Sequence, residues 1–491
     1  MQDDAGTEDF LRTLKRVFDL AQSQTRGSDT LVDQLRAHLG ADPSALAVFS
    51  EEFEPFEHPN LQAGVNAWLE RPGVTSELIG IGLESKRYMG HSLSDIVARA
   101  GNPDGPPVIP GPVDYTNFHL ADGKVMPCVQ FGLYLVSSGD ARLAVFIHGP
   151  TESGGPHQKL RVEAMSGDAV AGQAFLADVT SLMQAHNVYR GHVVSIGVGQ
   201  IQFGPVPQTL VHFHPRPRIA RDEVVLPAAL LERIERQALR FSEHADELLE
   251  AGRSLKRGML LHGLPGTGKT LTVMYLAGQV RDRTVILTTG RSMGLVTSLA
   301  QMARTLAPAV LVLEDVDLIA EDRGNPYTRS NPVLFELLNE MDGIRNDADL
   351  LFVLTTNRPD VLEPALAARP GRIDLVAELP LPDLQGRQRL IELYGRGLDL
   401  SEVDAQDLAA RSDGATPAYI KEMLRKALLI AAERGHAPRI TAADVDASLA
   451  ELAEGGRLAE RLAGLRPEAP GAAGVPAGAR AVVRVTGFPN S

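Results

Sequence analysis

The spacing of apolar and polar residues differs between the parts of this 491-residue chain. Near the start, in "DFLRTLKRVF", apolar residues return every three or four positions, which is the period of an amphipathic helix. This pattern predicts a helical N-terminal segment over residues 1–100. The stretch "GNPDGPPVIPGPV" follows at residues 101–113, and its prolines lack a backbone donor and fix φ. We therefore expect a linker there.

An alternating pattern, typical of half-buried strands, begins after this linker. The segments "MPCVQFGLYLV" and "ARLAVFIHGP" flank "SSGD", which predicts a hairpin, and "KLRVEA" fits a third strand. A helical pattern in "AGQAFLADVTSLMQAHN" comes next, and "HVVSIGV" and "TLVHFHP" return to strand. Residues 114–220 are accordingly predicted to form a small α+β domain.

Longer apolar runs mark the second half of the chain. After a helical stretch beginning near residue 227, the segments "GMLLH", "PAVLVL" and "LLFVLTT" have the continuous apolar character of strands covered on both faces. They predict an α/β core with a parallel sheet over residues 221–382. Helices with good N-caps at Thr416 and Thr441 are expected within residues 383–455. The Pro-, Gly- and Ala-rich residues 456–491 are expected to be flexible.

Composition limits the class of partner. The formal net charge is −14, which disfavours a general nucleic-acid or anionic-membrane surface. The chain has one cysteine, Cys128, an acidic start, "MQDDAGTEDF", and no apolar run of membrane-spanning length. We expect a cytoplasmic protein without a membrane span whose partners are proteins.

The strongest chemical motif is "GLPGTGKT", which follows the apolar run "GMLLH" and precedes a helical pattern. Its spacing, GxxxxGK followed by Ser or Thr, is that of a loop whose backbone N–H groups and helix N-terminus bind phosphates. The lysine would reach the β- and γ-phosphates of ATP, and the threonine would ligate Mg²⁺. The predicted nucleotide-binding residues are Gly263, Leu264, Pro265, Gly266, Thr267, Gly268, Lys269, Thr270 and Leu271.

Acidic and amide side chains follow two later apolar runs. The first run ends in "LVLEDVD", residues 311–317, and the second ends at Asn357. Because ligands of open α/β sheets bind at the carboxyl edge of the strands, we expect Glu314, Asp315 and Asn357 to meet the nucleotide. Arg369 and Arg372 lie three apart in the segment after Asn357, and arginines so placed can act on a phosphate in trans.

In three motifs that occur in the right order, the chain resembles the AAA ATPase family. The motifs are "RGMLLHGLPGTGKT", "LFELLNEMDGI" and "TTNRPDVLEPALAARPGRID", within a similarity that covers about residues 225–450, under half of the chain. The resemblance implies a P-loop NTPase core with a C-terminal helical lid, assembled as a hexameric ring. It also implies ATP and Mg²⁺ at Lys269 and Thr270, Asn357 as sensor 1, and Arg369 and Arg372 as fingers on the neighbouring subunit's ATP.

One departure from the family is the order of the acidic pair. The usual Asp–Glu is exchanged for Glu314–Asp315, which is similar to the AAA proteins that translocate the folded Rieske subunit in mitochondria. Either carboxylate can hold hydrated Mg²⁺, and we assign the metal to Glu314 together with Thr270. Asp315 can still orient or deprotonate the attacking water, although it is one methylene shorter than glutamate. We expect ATP hydrolysis at a reduced rate.

A second departure is the segment "ILTTGRSMGLVTSLAQMA", in which the family usually has a longer loop with an aromatic residue that grips substrate. Only Met293 and Gly294 offer a remnant of that motif. We therefore expect no processive threading of polypeptide.

Three functions remain open from the sequence. The leading one is a ring-forming ATPase that remodels or positions a protein partner recognised by residues 1–220. The alternative is a nucleotide-dependent scaffold or assembly factor with very slow hydrolysis. A DNA-dependent ATPase of the clamp-loader kind would require a basic stripe, which the sequence lacks.

Overall fold

The computed structural model describes residues 30–82, 92–100, 108–149, 159–200, 207–288, 296–317, 348–360 and 373–462. The chain divides into two compact units at Pro380 and Leu381. No helix among the described residues has the length and apolar character needed to cross a bilayer.

The N-terminal part of the first unit is built on an antiparallel sheet. Its strands are β1 (Val48–Phe53), β2 (Val74–Ile81), β3 (Pro110–Gly111), β4 (Asp114–His119), β5 (Val125–Ser138), β6 (Ala141–His148) and β7 (Leu160–Ser166). The helices are α1 (Leu31–Leu39), α2 (His58–Leu69), α3 (Leu93–Ala100) and α4 (Ala169–Ala185). The strand order is β1-β7-β6-β5-β2-β3, and β4 pairs with another part of the long β5.

Helices cover both faces of this sheet. On β6, Leu143, Val145 and Ile147 share a core with α2 and α4. The alternate residues Ala144 and Phe146 face α1 and α3. Because both faces are covered, the middle of β6 is apolar at every position and not only at alternate ones.

The sequence prediction for the first 113 residues is partly wrong. Residues 48–53 and 74–81 are strands of the sheet, so residues 1–100 are not a separate helical segment. Residues 108–113 of the expected linker also belong to the domain, since Val108 is buried and β3 pairs with β2. The predicted hairpin β5–β6, strand β7 and helix α4 are confirmed. The motif at residues 10–18 lies outside the described residues.

A second, mainly parallel sheet forms the rest of the first unit. Its strands are β8 (Val193–Gln200), β9 (Pro207–His214), β10 (Arg257–His262), β11 (Thr284–Thr288), β12 (Ala309–Leu313), β13 (Leu350–Thr356) and β14 (Leu375–Glu378). The helices are α5 (Ala228–Glu235), α6 (Phe241–Glu243), α7 (Ala245–Glu250), α8 (Lys269–Gln279) and α9 (Val296–Thr305), with a π-helical turn at Arg236–Arg240 between α5 and α6. The strand order is β14-β10-β13-β12-β11-β8-β9, with only β9 antiparallel to its neighbour.

The two faces of the parallel sheet have separate cores. Helices α5 and α8 pack on the face that carries Met259 and Val353. Helix α9 packs on the other face, against Leu311 and Phe352. The central strands β10, β12 and β13 are therefore buried on both sides, as their continuous apolar sequences predict.

The hairpin β8–β9 belongs to the parallel sheet, which corrects the predicted boundary at residue 220. Strand β8 pairs in parallel with β11 at residues 193–195. The last two strands of the domain predicted for residues 114–220 therefore belong to the neighbouring sheet. The N-terminal domain also contacts the segment that leads into β8, because Tyr189 Oη donates to Phe56 O at 2.5 Å. Phe56 is itself buried in the core on the α9 face.

The second unit is mainly helical. Its elements are α10 (Leu384–Tyr394), β15 (Asp399–Glu402), α11 (Ala405–Arg411), α12 (Pro417–Glu433), β16 (Arg439–Thr441) and α13 (Ala442–Leu462). Thr416 caps α12 and Thr441 bonds reciprocally with Asp444, as predicted. Helix α13 continues to Leu462, seven residues past the predicted end at residue 455, and residues 463–491 lie outside the described part.

Candidate functional site

The site is built at the carboxyl edge of the parallel sheet, where a tight loop joins β10 to α8. The loop begins at Gly263, whose φ is 149°. A Cβ atom there would lie 2.6 Å from Leu379 O, because β14 runs beside β10 and Leu379 N donates to His262 O. Only glycine fits this position.

The loop ends at Gly268, which precedes the first residue of α8 with φ at 100°. Between the two glycines, Leu264, Pro265 and Gly266 are exposed, and the buried Thr267 hydroxyl donates to Leu264 O at 2.9 Å. The loop therefore presents its backbone and the N-terminus of α8 to solvent at one point. Backbone N–H groups and a helix N-terminus in this arrangement form a phosphate site.

Lys269 lies inside the curl of the loop. Its Nζ donates to Gly263 O at 2.9 Å and to Leu264 O at 3.0 Å, and its side chain is buried. Burial lowers the pKa of Lys269, and the negative charges of Asp315 and Asp317 act in the opposite direction. A desolvated ammonium held near exposed backbone donors is suited to bind the negatively charged oxygen of a phosphate.

The acidic pair follows the end of β12. The β12–β13 ladder stops at Leu313 and Leu354, and the chain then turns, with Asp315 in the left-handed region at φ 51°. Asp315 N donates to Thr355 Oγ1 at 3.0 Å, which holds the turn. Because the backbone turns between residues 314 and 315, the two carboxylates have different neighbours.

Glu314 points to the P-loop side. The Thr270 hydroxyl lies beside its carboxylate, and Oε1 is buried without a hydrogen-bond partner among the described residues. Burial is the main cause that raises the pKa of Glu314, the neighbouring Thr270 hydroxyl lowers it, and the charge of Asp315 raises it further. A buried carboxylate oxygen beside a threonine hydroxyl fits Mg²⁺, which prefers oxygen ligands and uses one or two carboxylates together with phosphates.

Asp315 points to the end of β13. Asn357 Nδ2 donates to Asp315 Oδ1 at 3.3 Å. The structure thus divides the predicted residues into two pairs, Thr270 with Glu314 and Asn357 with Asp315.

A further acid, Asp317, was not predicted as a site residue. It is buried, with 6% of its surface exposed, and Oδ1 accepts from Thr356 Oγ1 at 2.8 Å and from Asn357 N at 3.3 Å. The only sequence signal was the third acid in "LEDVD", two positions after Asp315.

Three other predicted functional residues, Arg369, Arg372 and Met293, lie outside the described residues. Among the residues that the structure does describe, no group of three or more His, Cys, Asp or Glu side chains is arranged to hold a metal ion. The magnesium site inferred above uses one carboxylate and one hydroxyl, so it does not require such a group.

Comparison with known proteins agrees with this geometry. Residues 259–381 match the family described as "ATPase family associated with various cellular activities (AAA)". The ATP-dependent zinc metalloprotease FtsH 3 of Symbiobacterium thermophilum is 32% identical over 269 residues, which are 52% of this chain and 42% of that protein. FtsH 3 of Synechocystis sp. is 34% identical over 241 residues, or 46% of this chain and 38% of that protein.

The FtsH protein of Thermus thermophilus is 32% identical over 224 residues, which are 43% of this chain and 36% of that protein. The chain thus spans less than half the length of these relatives. Both the family match and the glycine loop fall within residues 259–381. The chain therefore contains an ATPase module of the AAA family.

Proposed function

We propose that this protein is a ring-forming ATPase that hydrolyses ATP to remodel or position a protein partner. The observation that carries the proposal is the meeting of the two pairs, Thr270–Glu314 and Asn357–Asp315, around the loop that holds Lys269. Positioned donors and acceptors of this kind are the main requirement for phosphoryl transfer to water.

Each residue has a distinct part in the proposed reaction. The loop N–H groups and Lys269 bind the phosphates, and Lys269 exchanges its bonds to Gly263 O and Leu264 O for bonds to phosphate oxygens. Thr270 and Glu314 would hold Mg²⁺, which when bound neutralises charge on the phosphates. Asp315 orients the attacking water and accepts its proton, and the Asn357 amide fixes the Asp315 carboxylate for that role.

The exchanged order of the acidic pair is compatible with catalysis because of the backbone at residue 315. Aspartate is one of the few residues other than glycine that adopts the left-handed region readily. A shorter acid is therefore suited to position 315, and the longer Glu314 reaches Thr270. The shorter reach of Asp315 toward the water supports slow hydrolysis, and this observation favours the alternative function of a nucleotide-dependent scaffold.

Assembly and partner recognition belong to the same proposal. The family match and the two arginines after Asn357 support a hexameric ring in which Arg369 and Arg372 act on the neighbouring subunit's ATP. The N-terminal sheet domain precedes the ATPase module and is the part that we assign to recognition of a protein partner. We also propose a cytoplasmic location, and the net charge of −14 disfavours a nucleic-acid partner.

The test is the Lys269→Ala variant with a fluorescent ATP analogue. Loss of the ammonium should abolish measurable binding, whereas Lys426→Ala, which removes an exposed lysine paired with Glu451, should bind as the wild type does. Unchanged affinity in Lys269→Ala would contradict the site assignment. A remodelling enzyme should then show ATPase activity that a partner stimulates, while a scaffold should assemble in ATP and turn it over very slowly.

A further inference from the structure

The chain after β12 is fastened to the end of β13 by side chains as well as by the sheet. Asp315 N bonds to Thr355 Oγ1, and Val316 N donates to Thr355 O at 2.9 Å. These two bonds bring residues 314–317 alongside residues 355–358. The segment carrying both site carboxylates is therefore held by the segment carrying Asn357.

The side chain of Asp317 also links the two segments, because it accepts hydrogen bonds from residues that follow β13 or end it. One oxygen, Oδ1, accepts from both the Thr356 hydroxyl and the Asn357 N–H. Thr356 Oγ1 in turn accepts from Arg358 N at 2.9 Å, so the backbone on both sides of Asn357 is fixed. From this fixed backbone the Asn357 amide reaches Asp315, two residues before Asp317.

A buried carboxylate at this place has an energetic cost. The two donors to Asp317 are neutral, and a carboxylate that loses water needs strong compensation to stay buried. An apolar side chain could fill the same volume without this cost, so packing alone does not account for a hydrogen-bond acceptor at position 317. One hydrogen bond of Asp317 comes from Asn357, whose amide donates to the Asp315 carboxylate, which gives the acid a use beyond packing.

We propose that Asp317 is a positioning residue of the ATPase site, which acts by holding Asn357 in the orientation that fixes Asp315. This inference rests on the proposed ATPase function. Asp317 does not touch the water or the phosphates in this scheme. Its loss should lower kcat and leave nucleotide affinity in place, because the loop backbone and its contacts with Lys269 do not involve Asp317.

The experiment compares Asp317→Ala, Asp317→Asn and a control, Asp374→Ala, in the full chain. Asp374 also accepts from a backbone N–H, that of Gly258 at 2.9 Å, but at the opposite edge of the same sheet. We expect Asp317→Ala to lower kcat about 10- to 100-fold with the affinity for the fluorescent ATP analogue unchanged. Asp317→Asn should retain most of the activity, because its amide oxygen can accept the same two bonds, and Asp374→Ala should keep the wild-type kcat.

A double-mutant cycle with Asn357→Ala separates positioning from general destabilisation. If Asp317 acts through Asn357, then Asp317→Ala should cost little further kcat in the Asn357→Ala background. Additive losses, or an Asp317→Asn variant as slow as Asp317→Ala, would overturn the proposal. If Asp317→Ala does not fold, Thr356→Val removes the hydroxyl donor and should show the same split between kcat and affinity; a normal kcat in that variant would also overturn it.

The ATPase activity of the wild type distinguishes a failure of the proposed ATPase function from a failure of the proposed role of Asp317. A wild-type protein that binds ATP without turnover contradicts the ATPase function and the role of Asp317 together. A wild type that hydrolyses ATP, with Asp317→Ala at the same rate, contradicts the Asp317 proposal alone.

Discussion

The amide of Asn357 donates to the carboxylate of Asp315 across the ends of two neighbouring strands, at 3.3 Å. Asp315 can meet Asn357 because its backbone turns into the left-handed region directly after Glu314. The Glu314 carboxylate lies beside the Thr270 hydroxyl instead, which lowers its pKa. The two adjacent acids therefore face different parts of the site: Glu314 faces Thr270 of the P-loop, and Asp315 faces the end of β13.

This separation predicts different defects for the two isosteric amide variants. Asp315→Asn should bind ATP and lower kcat by about 100-fold or more, since it removes the base. Glu314→Gln should first raise the Mg²⁺ concentration needed for half-maximal rate. Titrations of Mg²⁺ and ATP in both variants measure this. If Asp315→Asn raises the Mg²⁺ requirement and Glu314→Gln hydrolyses normally, the two roles are reversed.

The environment of Glu314 predicts a pH dependence of magnesium affinity. Its folded-state pKa is raised, chiefly by burial, so it takes up a proton at a higher pH than an ordinary glutamate. A protonated Glu314 is a poor metal ligand. The Mg²⁺ affinity should therefore fall as the pH is lowered, beginning above the ordinary glutamate pKa of 4.5. Isothermal titration of Mg²⁺ into the nucleotide complex tests this, and the pH dependence should be weaker in Glu314→Gln, where only the nucleotide phosphates titrate.

The proposed ring predicts complementation between two inactive variants. Arg369→Ala should bind ATP and hydrolyse little, because the arginine acts on the neighbour's ATP. Lys269→Ala cannot bind ATP but supplies an intact arginine. Mixing the two should restore part of the ATPase activity. No restoration at any ratio, together with a monomeric mass in ATP, would count against the ring.

The segment around Met293 predicts that a substrate is not threaded. Pulling on an unfolded strand requires a side chain that grips it, and methionine is flexible and apolar where an aromatic residue would stack. A folded fluorescent protein fused to the partner should keep its fluorescence in ATP with a trap for unfolded chains. Steady loss of fluorescence that disappears in Met293→Ala would show that Met293 grips the substrate.

A buried ionic cluster at the amino edge of the parallel sheet predicts a large effect on stability. Asp349 Oδ1 accepts from the buried Arg257 at 2.7 Å, and Oδ2 accepts from Arg283. Asp349→Ala would leave two arginines without their carboxylate, and it should lower the free energy of unfolding by about 3–5 kcal/mol. Asp360→Ala, at an exposed pair with Arg358, should change it by less than about 1 kcal/mol. Urea denaturation compares the variants.

The same cluster fixes the sign of a pH effect. Burial alone would raise the pKa of Asp349, but the hydrogen bonds from Arg283 and Arg257 outweigh it, and the folded-state pKa lies below 3.8. A carboxyl with a lowered pKa contributes stability above its unfolded-state pKa, and this contribution is lost as the pH falls through the folded value. The difference in stability between wild type and Asp349→Ala should therefore shrink below about pH 4. A difference that grows with acid would contradict this assignment.

The phosphate loop and the local elements are predictable from the amino-acid pattern alone. The predicted nucleotide-binding motif is nine contiguous residues from Gly263 to Leu271, and glycine at Gly263 is required by a backbone conformation that no other residue adopts easily. The β5–β6 hairpin and the caps at Thr416 and Thr441 are likewise set by neighbours in the chain. Such features are predictable because the interactions that stabilise them span only a few residues.

Long-range packing sets which sheet each strand joins and which neighbours each acid of the site contacts. Strands β1 and β2 join the N-terminal sheet and the hairpin β8–β9 joins the parallel sheet, although their apolar patterns are compatible with either. Strand pairing is set by long-range packing against helices, which a local pattern does not contain. In the same way, "LEDVD" contains three acids whose directions the sequence does not show. The turn at Asp315 places Glu314 beside Thr270 and Asp315 beside Asn357. Asp317 accepts from the backbone N–H of Asn357 at the end of β13.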